Sequence, residues 1–250
     1  MRATGQSSTA FTAAALRLLR KHRLLSPKRS FYLILRPEDR AAGAPDPARW
    51  IDPLMRHVGV DYRISLLRAA AFHGSSHQAA FVFQVIVPKQ MRPIVAGRQR
   101  IQFIYQAPDA FAKINREVWL GQLKTDAGFA KVAGIELVIL DSVQYFHQAA
   151  GLNGAAQIVH DLGGKADSRQ LAKAAAFYEN STVRRLGYLL EHFGHRRQST
   201  ALRPFTRAAK SMKLLDPSVK RIAALEATVG AVGEAPSWKL ILNAPVEIDA

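Results

Sequence analysis

Glu136 and Asp141 are the acidic pair closest to the apolar middle of the sequence, and metal-dependent nucleases use paired carboxylates. Their separation of five residues places them roughly 140° apart on a helix and on opposite faces of a strand. The carboxylate-any-lysine signature of many such nucleases is missing, because Leu137 and Val138 follow Glu136. The spacing therefore favours Asp141 as the cap of a following helix, and a nuclease is only an alternative.

Two further patterns resemble ligand sites. His73 and His77 are four residues apart, as in a helical zinc site, but the intervening Gly-Ser-Ser argues against a helix. The run Gly163, Gly164 and Lys165 lacks the leading glycine and the Ser or Thr of a phosphate-binding loop. We therefore predict no catalytic residue, no metal site and no cofactor.

Residues 1–37 contain no acidic side chain and eight Lys or Arg. Ser7 and Ser8 can cap a helix, and residues 24–35 predict a hairpin with a basic turn at 26–30. A helix followed by a basic hairpin is typical of a winged helix, whereas an organellar transit peptide of similar composition needs no hairpin. Because few residues precede the helix, we expect a winged helix-turn-helix without its leading part.

This segment has the chemistry of a DNA-binding surface. Small polar side chains at the start of the helix suit base edges in the major groove, and cations at its end and at the hairpin tip suit phosphates. The net charge of +16 adds a general attraction for polyanions. The residues predicted to bind DNA are Ser7, Ser8, Thr12, Arg17, Arg20, Lys21, Lys28 and Arg29.

The rest of the chain predicts a second, larger domain. Residues 41–47 read as a linker, because small residues and two prolines interrupt regular structure there. Strands cluster in the middle of the chain, helices follow over 140–212, and a final strand at 238–243 is expected to return to the sheet. The predicted fold is therefore mixed α+β (α/β), with a partial winged-helix module at 1–40 and a C-terminal domain at 48–250.

A second group of arginines surrounds a helix predicted at 182–193. Gly187 lies on the apolar face of this helix, where it allows another backbone to approach. The arginines have few acidic neighbours, which fits either a solvated face or a contact surface for an acidic partner. The residues assigned to such a partner are Arg184, Arg185, Arg196 and Arg197.

Composition sets the remaining limits. Hydrophobic residues make up 48% of the chain, which is typical of a folded globular protein. The absence of cysteine fits a reducing compartment, so we expect a cytoplasmic protein. No apolar run is long enough to span a bilayer, which argues against a membrane protein.

Many short motifs, in this order along nearly the whole chain, resemble the AbiEi antitoxins. The first group comprises Ala15 to Lys21, Leu25 to Tyr32, Gly43 to Pro45, and Trp50 to Met55. The second comprises Ser65 to Leu67, Ala71 to Gly74, His77-Gln78, Phe83 to Val85, Gly97 to Ile101, and Arg185 to Glu191. The chain departs from the family's Pro-Glu and Thr before Leu-Asp, with Ile135-Glu136 and Val138 before Leu140-Asp141.

The resemblance implies a non-enzymatic regulator of a type IV toxin–antitoxin system, which acts in abortive infection during phage defence. In such proteins the winged helix binds the promoter DNA of its own operon, and the C-terminal domain opposes a nucleotidyltransferase-like toxin. We therefore predict an autorepressor and antitoxin. A DNA-binding regulator without a toxin partner is the first alternative.

Overall fold

A computed structural model describes residues 7–75, 82–207, 209–219 and 233–248. It contains an N-terminal unit, a central sheet with covering helices, and a small C-terminal sheet. The architecture is mixed α+β, as the sequence predicts. Within the described ranges no helix is both long and apolar enough to cross a membrane.

The N-terminal unit consists of α1 (Ser8–Arg20), β1 (Leu24–Lys28) and β2 (Phe31–Ile34). The helix begins where the sequence predicts, because the side chain of Ser7 accepts a hydrogen bond of 3.2 Å from the amide of Ala10. The two strands pair antiparallel. The turn is shorter than the predicted 26–30, because β1 continues to Lys28 and only Arg29 and Ser30 connect the strands.

The central sheet has six strands in the order β5-β6-β4-β3-β8-β7. They are β3 (Arg63–Ile64), β4 (Val82–Val87), β5 (Ile94–Ala96), β6 (Gln99–Tyr105), β7 (Leu120–Thr125) and β8 (Gly128–Ala133). Pairs β4/β6 and β3/β8 are parallel and the other pairs are antiparallel. The apolar run of β4 lies in the middle of this sheet, where its residues from Phe83 to Val87 are buried.

Helices α2 (Ile51–Val58), α3 (Leu66–Phe72) and α4 (Pro108–Ile114) lie between the strands in sequence. The helical half that follows comprises α5 (Ile135–Gln144), α6 (Gly151–Leu162), α7 (Ser168–Ala175), α8 (Asn180–His192) and α9 (Arg196–Arg207). Helix α5 contacts α3, α6, α7 and α8, and its residues from Leu137 to Val143 are buried. The predicted capping role of Asp141 is wrong, because the helix begins six residues earlier and Asp141 lies inside it.

The last strands form a separate sheet of β9 (Lys213–Leu214), β10 (Gly233–Ala235) and β11 (Leu240–Leu242). The prediction that the final strand returns to the central sheet is therefore wrong, since β11 pairs with β9 and β10. Trp238 joins this sheet to α8, where its ring packs against Gly187. The space beside Gly187 therefore receives a side chain, and not the backbone that the sequence predicts.

The predicted linker at 41–47 packs against the turn between β5 and β6. The amide of Arg98 donates a hydrogen bond of 2.8 Å to the carbonyl of Ala42. A Cβ atom on Gly97 would lie 2.3 Å from that same carbonyl oxygen, so glycine permits this close approach. Asp46 also pairs with Arg68 at 2.6 Å, which ties the segment to α3.

Candidate nucleic-acid interface

The exposed side of α1 carries the cations predicted to contact DNA. Arg17 and Arg20 are exposed in the last turns of the helix, and Lys21 is exposed immediately after it. The first acidic residue of the chain is Glu38, so this unit has no acid of its own before that position. A helix of 13 residues is about 20 Å long and is narrow enough to enter a major groove about 12 Å wide.

The small polar residues predicted to contact bases lie at the N-terminal end of α1, opposite the end that carries the cations. Ser7 is exposed and already uses its hydroxyl oxygen as the helix cap, which leaves its hydroxyl proton for a further contact. Ser8 is the first residue of the helix, and Thr12 is exposed one turn later. The structure thus brings these residues to the same helix end, and their contact with bases stays a prediction.

The hairpin tip is fixed to the body of the protein by its backbone. His57 in α2 donates from Nε2 to the carbonyl oxygen of Arg29 at 3.0 Å. The ring of Phe31 packs against His57 and Trp50, with ring centroids 5.5 and 6.3 Å apart. The side chains of Lys28 and Arg29 remain exposed, so the tip presents two cations from a held backbone.

Acidic residues near this unit pair with a different set of arginines. Asp126 accepts from Arg36 at 3.1 Å and from Arg49 at 2.9 Å, and Asp39 pairs with Arg49 at 3.2 Å. Glu38 lies 3.8 Å from Arg36. Across the part of the chain that the structure describes, the basic residues of α1 and the hairpin tip form no ion pair.

Two of the four arginines assigned to a protein partner bond to the C-terminal sheet. Arg184 is buried and donates from Nη1 to the carbonyls of Ser211 and Lys239, at 2.9 and 3.0 Å. Arg185 donates from Nε to the carbonyl of Leu214 at 3.0 Å. Burial lowers the pKa of both guanidinium groups. These bonds hold the C-terminal sheet against α8. Arg184 is buried and so is not exposed to a partner, whereas Arg185 is only partly buried and its role in partner binding stays a prediction.

Arg196 and Arg197 are exposed at the start of α9, as a contact surface requires. Helix α7 packs beside α9 and adds Arg169 and Lys173, which are also exposed. Asp167 is the acidic residue that interacts with Arg169 and Arg197 there. These four side chains, Arg169, Lys173, Arg196 and Arg197, define a second basic surface, which we call the α7–α9 surface.

Asp141 belongs to a buried polar network. Its carboxylate accepts from Nε and Nη2 of Arg63 at 3.0 and 2.9 Å, from Ser65 Oγ at 2.7 Å and from the Tyr178 hydroxyl at 2.7 Å. Arg63 and Asp141 are both fully buried. Burial and the Asp141 carboxylate raise the pKa of Tyr178 well above its ordinary value, so this phenol stays a donor. In the sequence, the one sign that Arg63 is a buried charged residue is its position between the apolar side chains of Tyr62 and Ile64.

The other candidate ligands do not converge on Asp141. Glu136 accepts a hydrogen bond of 2.8 Å from the backbone amide of Asp167, and so serves the start of α7. His73 donates to the carbonyl of Ala133 at 2.8 Å, and His77 lies outside the described residues. Among the residues that the structure describes, no group of three or more His, Cys, Asp or Glu is placed to hold a metal ion.

The sequence profile of the AbiEi antitoxin C-terminal domain matches residues 63–192. The match covers more than half of the chain, from β3 through α8, and the chain belongs to the AbiEi antitoxin family. The protein is therefore an antitoxin of a toxin–antitoxin system, with a toxin as its partner, in a family that is typically non-catalytic. This assignment favours an antitoxin over a regulator without a toxin partner.

Comparison with solved structures supports the fold independently. The crystal structure of the RV2827C protein from Mycobacterium tuberculosis is similar, with a TM-score of 0.62 and 17% sequence identity. The similarity covers 95% of this chain and 80% of that one. A search of the curated proteins gave no match. The shared architecture thus extends beyond residues 63–192 into the N-terminal unit.

Proposed function

We propose that this antitoxin is also the DNA-binding autorepressor of its own operon, in a type IV toxin–antitoxin system of phage defence in the bacterial cytoplasm. In this proposal residues 1–40 act as a winged-helix module and bind promoter DNA. Residues 48–250 act as the domain that opposes a nucleotidyltransferase-like toxin. The unpaired cations of α1 and the hairpin tip carry the proposal, because polyanions attract such cations most strongly.

The geometry supports a two-part contact with duplex DNA. Helix α1 would enter the major groove with Ser8 and Thr12 near base edges, and Arg17 and Arg20 would lie near the flanking phosphates. Lys28 and Arg29 at the hairpin tip would reach the backbone or the minor groove. Because His57 and Phe31 hold the hairpin backbone, binding would need to order only the side chains of its two cations.

The test is the salt dependence of binding to the chain's own upstream DNA, measured beside a nonspecific duplex. Changing Lys28 and Arg29 to alanine together should lower the slope of log K against log salt by up to about two units. The matched control changes Lys113 and Arg116 to alanine, which removes the same two charges from exposed positions on α4 and after it. An unchanged slope in the hairpin variant would remove the hairpin from the proposed interface.

The α7–α9 surface is proposed to contact an acidic partner, with the toxin as first candidate. Arg196 and Arg197 are exposed on α9, and Arg169 and Lys173 are exposed on α7, the helix that packs against it. Charge reversal of Arg196 and Arg197 to glutamate should weaken binding to the purified toxin at low salt, because complementary charge steers association. Reversal of Lys113 and Arg116 is the control. If toxin neutralisation and binding survive the first reversal, the toxin does not use this surface.

A further inference from the structure

A basic groove lies where α1, the start of β1 and residues 40–43 meet. Its volume is about 440 Å³, and its charged lining residues are Lys21, Arg23 and Arg40. His22 lies between the first two, and no acidic residue lines the groove. Lys21 and Arg23 lie between α1 and β1, whereas Arg40 comes from the segment that packs on the body of the protein.

The charges of this groove are not neutralised by neighbouring carboxylates. Asp39 precedes Arg40 in sequence, but its carboxylate accepts from Arg49 and from the amide of Arg36. Asp126 likewise pairs with Arg36 and Arg49. Over the described ranges, none of the three groove cations forms an ion pair.

Backbone contacts hold both walls of the groove. Arg23 donates from its amide to Leu18 at 2.9 Å and accepts from the amide of Leu35 at 3.0 Å, which fixes it between α1 and β2. On the other wall, the amide of Gly43 donates to the carbonyl of Arg40 at 3.2 Å. The contact between Ala42 and the β5–β6 turn then anchors this wall to the central sheet.

Guanidinium and ammonium groups that have no carboxylate partner are the groups that proteins use for phosphate, and here they extend from a backbone held by hydrogen bonds. We propose that this groove binds a phosphate group, and that the phosphate belongs to the backbone of the DNA held by α1 and the hairpin tip. This inference rests on the proposed DNA-binding function and extends the interface to Arg23 and Arg40. Arg40 immediately precedes the predicted linker at 41–47, so the proposed contact would lie where the N-terminal unit joins the body of the protein.

The experiment measures duplex binding by the full chain with Arg23→Gln and Arg40→Gln separately. Each should reduce the slope of log K against log salt by about 0.9. If the variant and the unmodified chain bind equally at 1 M salt, this change makes the variant bind roughly eightfold more weakly at 0.1 M salt. Arg116→Gln is the matched control, since Arg116 is an exposed arginine before β7, the edge strand farthest from β5. Both groove arginines are exposed, so their variants should fold, and circular dichroism checks this.

The outcomes separate the groove from the DNA-binding function itself. Unchanged slopes for Arg23→Gln and Arg40→Gln, beside a reduced slope for the Lys28 and Arg29 variant, would overturn the groove and leave DNA binding intact. If the unmodified chain binds no duplex, calorimetric titration with inorganic pyrophosphate decides. If the unmodified chain binds pyrophosphate and both glutamine variants do not, the groove is a site for a free phosphate compound and the DNA-binding proposal is overturned. If the unmodified chain does not bind pyrophosphate either, both the groove and the DNA-binding proposal are overturned.

Discussion

Replacing Arg63 with methionine would remove the cation from an ion pair in which both side chains are fully buried. The carboxylate of Asp141 would lose two of its four hydrogen bonds and keep only the hydroxyl donors of Ser65 and Tyr178. Gln106 would also lose the donor that now lies 3.0 Å from its side-chain oxygen. The Asp141 side chain would then have no counterion, and because it is fully buried, solvent would not replace the lost contacts.

The expected loss of stability follows from the two broken contacts. A hydrogen bond to a charged group contributes about 1.5–3 kcal/mol, so two of them amount to roughly 3–6 kcal/mol. Removal of one partner from a buried ion pair costs about 3–5 kcal/mol by a separate line of measurement. We therefore expect Arg63→Met to lower the free energy of unfolding by about 3–5 kcal/mol.

A double-mutant cycle separates the ion pair from simple loss of packing. Asp141→Leu alone leaves Arg63 buried without its carboxylate, and should cost a similar amount. The double variant removes both charges, so its cost should be smaller than the sum of the single costs by at least about 2 kcal/mol. The double variant should still be less stable than the unmodified chain, because the hydroxyls of Ser65 and Tyr178 lose their acceptor. Urea unfolding at pH 7, followed by far-ultraviolet circular dichroism, gives all of these values.

The control is an ion pair at the surface. Lys131 and Asp61 lie 2.5 Å apart with side chains 46% and 48% exposed. Because solvent screens such a pair, Asp61→Asn should cost less than about 1 kcal/mol. If Arg63→Met costs no more than Asp61→Asn, or if the single effects simply add, the interior charge pair does not contribute as the geometry requires and the reasoning fails.

Three further predictions test packing and charge. Gly187→Ala places a Cβ 2.1 Å from a ring carbon of Trp238, so it should cost about 1–3 kcal/mol despite alanine's better helix propensity, and an unaltered melting temperature would contradict this contact. Gly97→Ala, at φ +55° and 2.3 Å from the Ala42 carbonyl, should lower the urea midpoint, and an unchanged midpoint would mean that residues 41–47 are detached. Burial raises the pKa of Asp61 but hydrogen bonds and the nearby ammonium outweigh it, so the pKa is lowered. The stability that Asp61 adds relative to Asp61→Asn should thus be full above pH about 4 and disappear as pH falls through the lowered pKa; a constant difference down to low pH would contradict this.

Local signals account for the parts of the fold that the sequence predicts well. Ser7 caps α1 through an amide three residues away, and the hairpin closes over a short turn, so neighbouring residues suffice to specify both. The apolar run over 132–143 is different, because a buried strand and a buried helix share that pattern. Its first residues belong to β8 and the rest to α5. This ambiguity is why the sequence misplaces Asp141 at a helix start.

Long-range pairings account for the errors. Arg184 is buried and Arg185 is partly buried, because carbonyl acceptors arrive from residues at least 27 positions later in the chain. No spacing within α8 contains that information. The partner of β11 is similarly hidden, since short strands can join either sheet and only the complete fold decides between them.

The same distinction explains which cations of the N-terminal unit are left for a polyanion. The sequence shows a run of basic residues without acids, and composition alone does not distinguish Arg36 from Arg20 or Arg29. In the fold, Asp126 reaches this unit from the β7–β8 turn and neutralises Arg36, although the two residues are 90 positions apart. Arg23 and Arg40 both line the groove, and neither forms an ion pair with any residue in the described ranges. Tertiary pairing, and not local composition, therefore determines which cations of this unit have no ion pair among the described residues and are left for the proposed DNA contact.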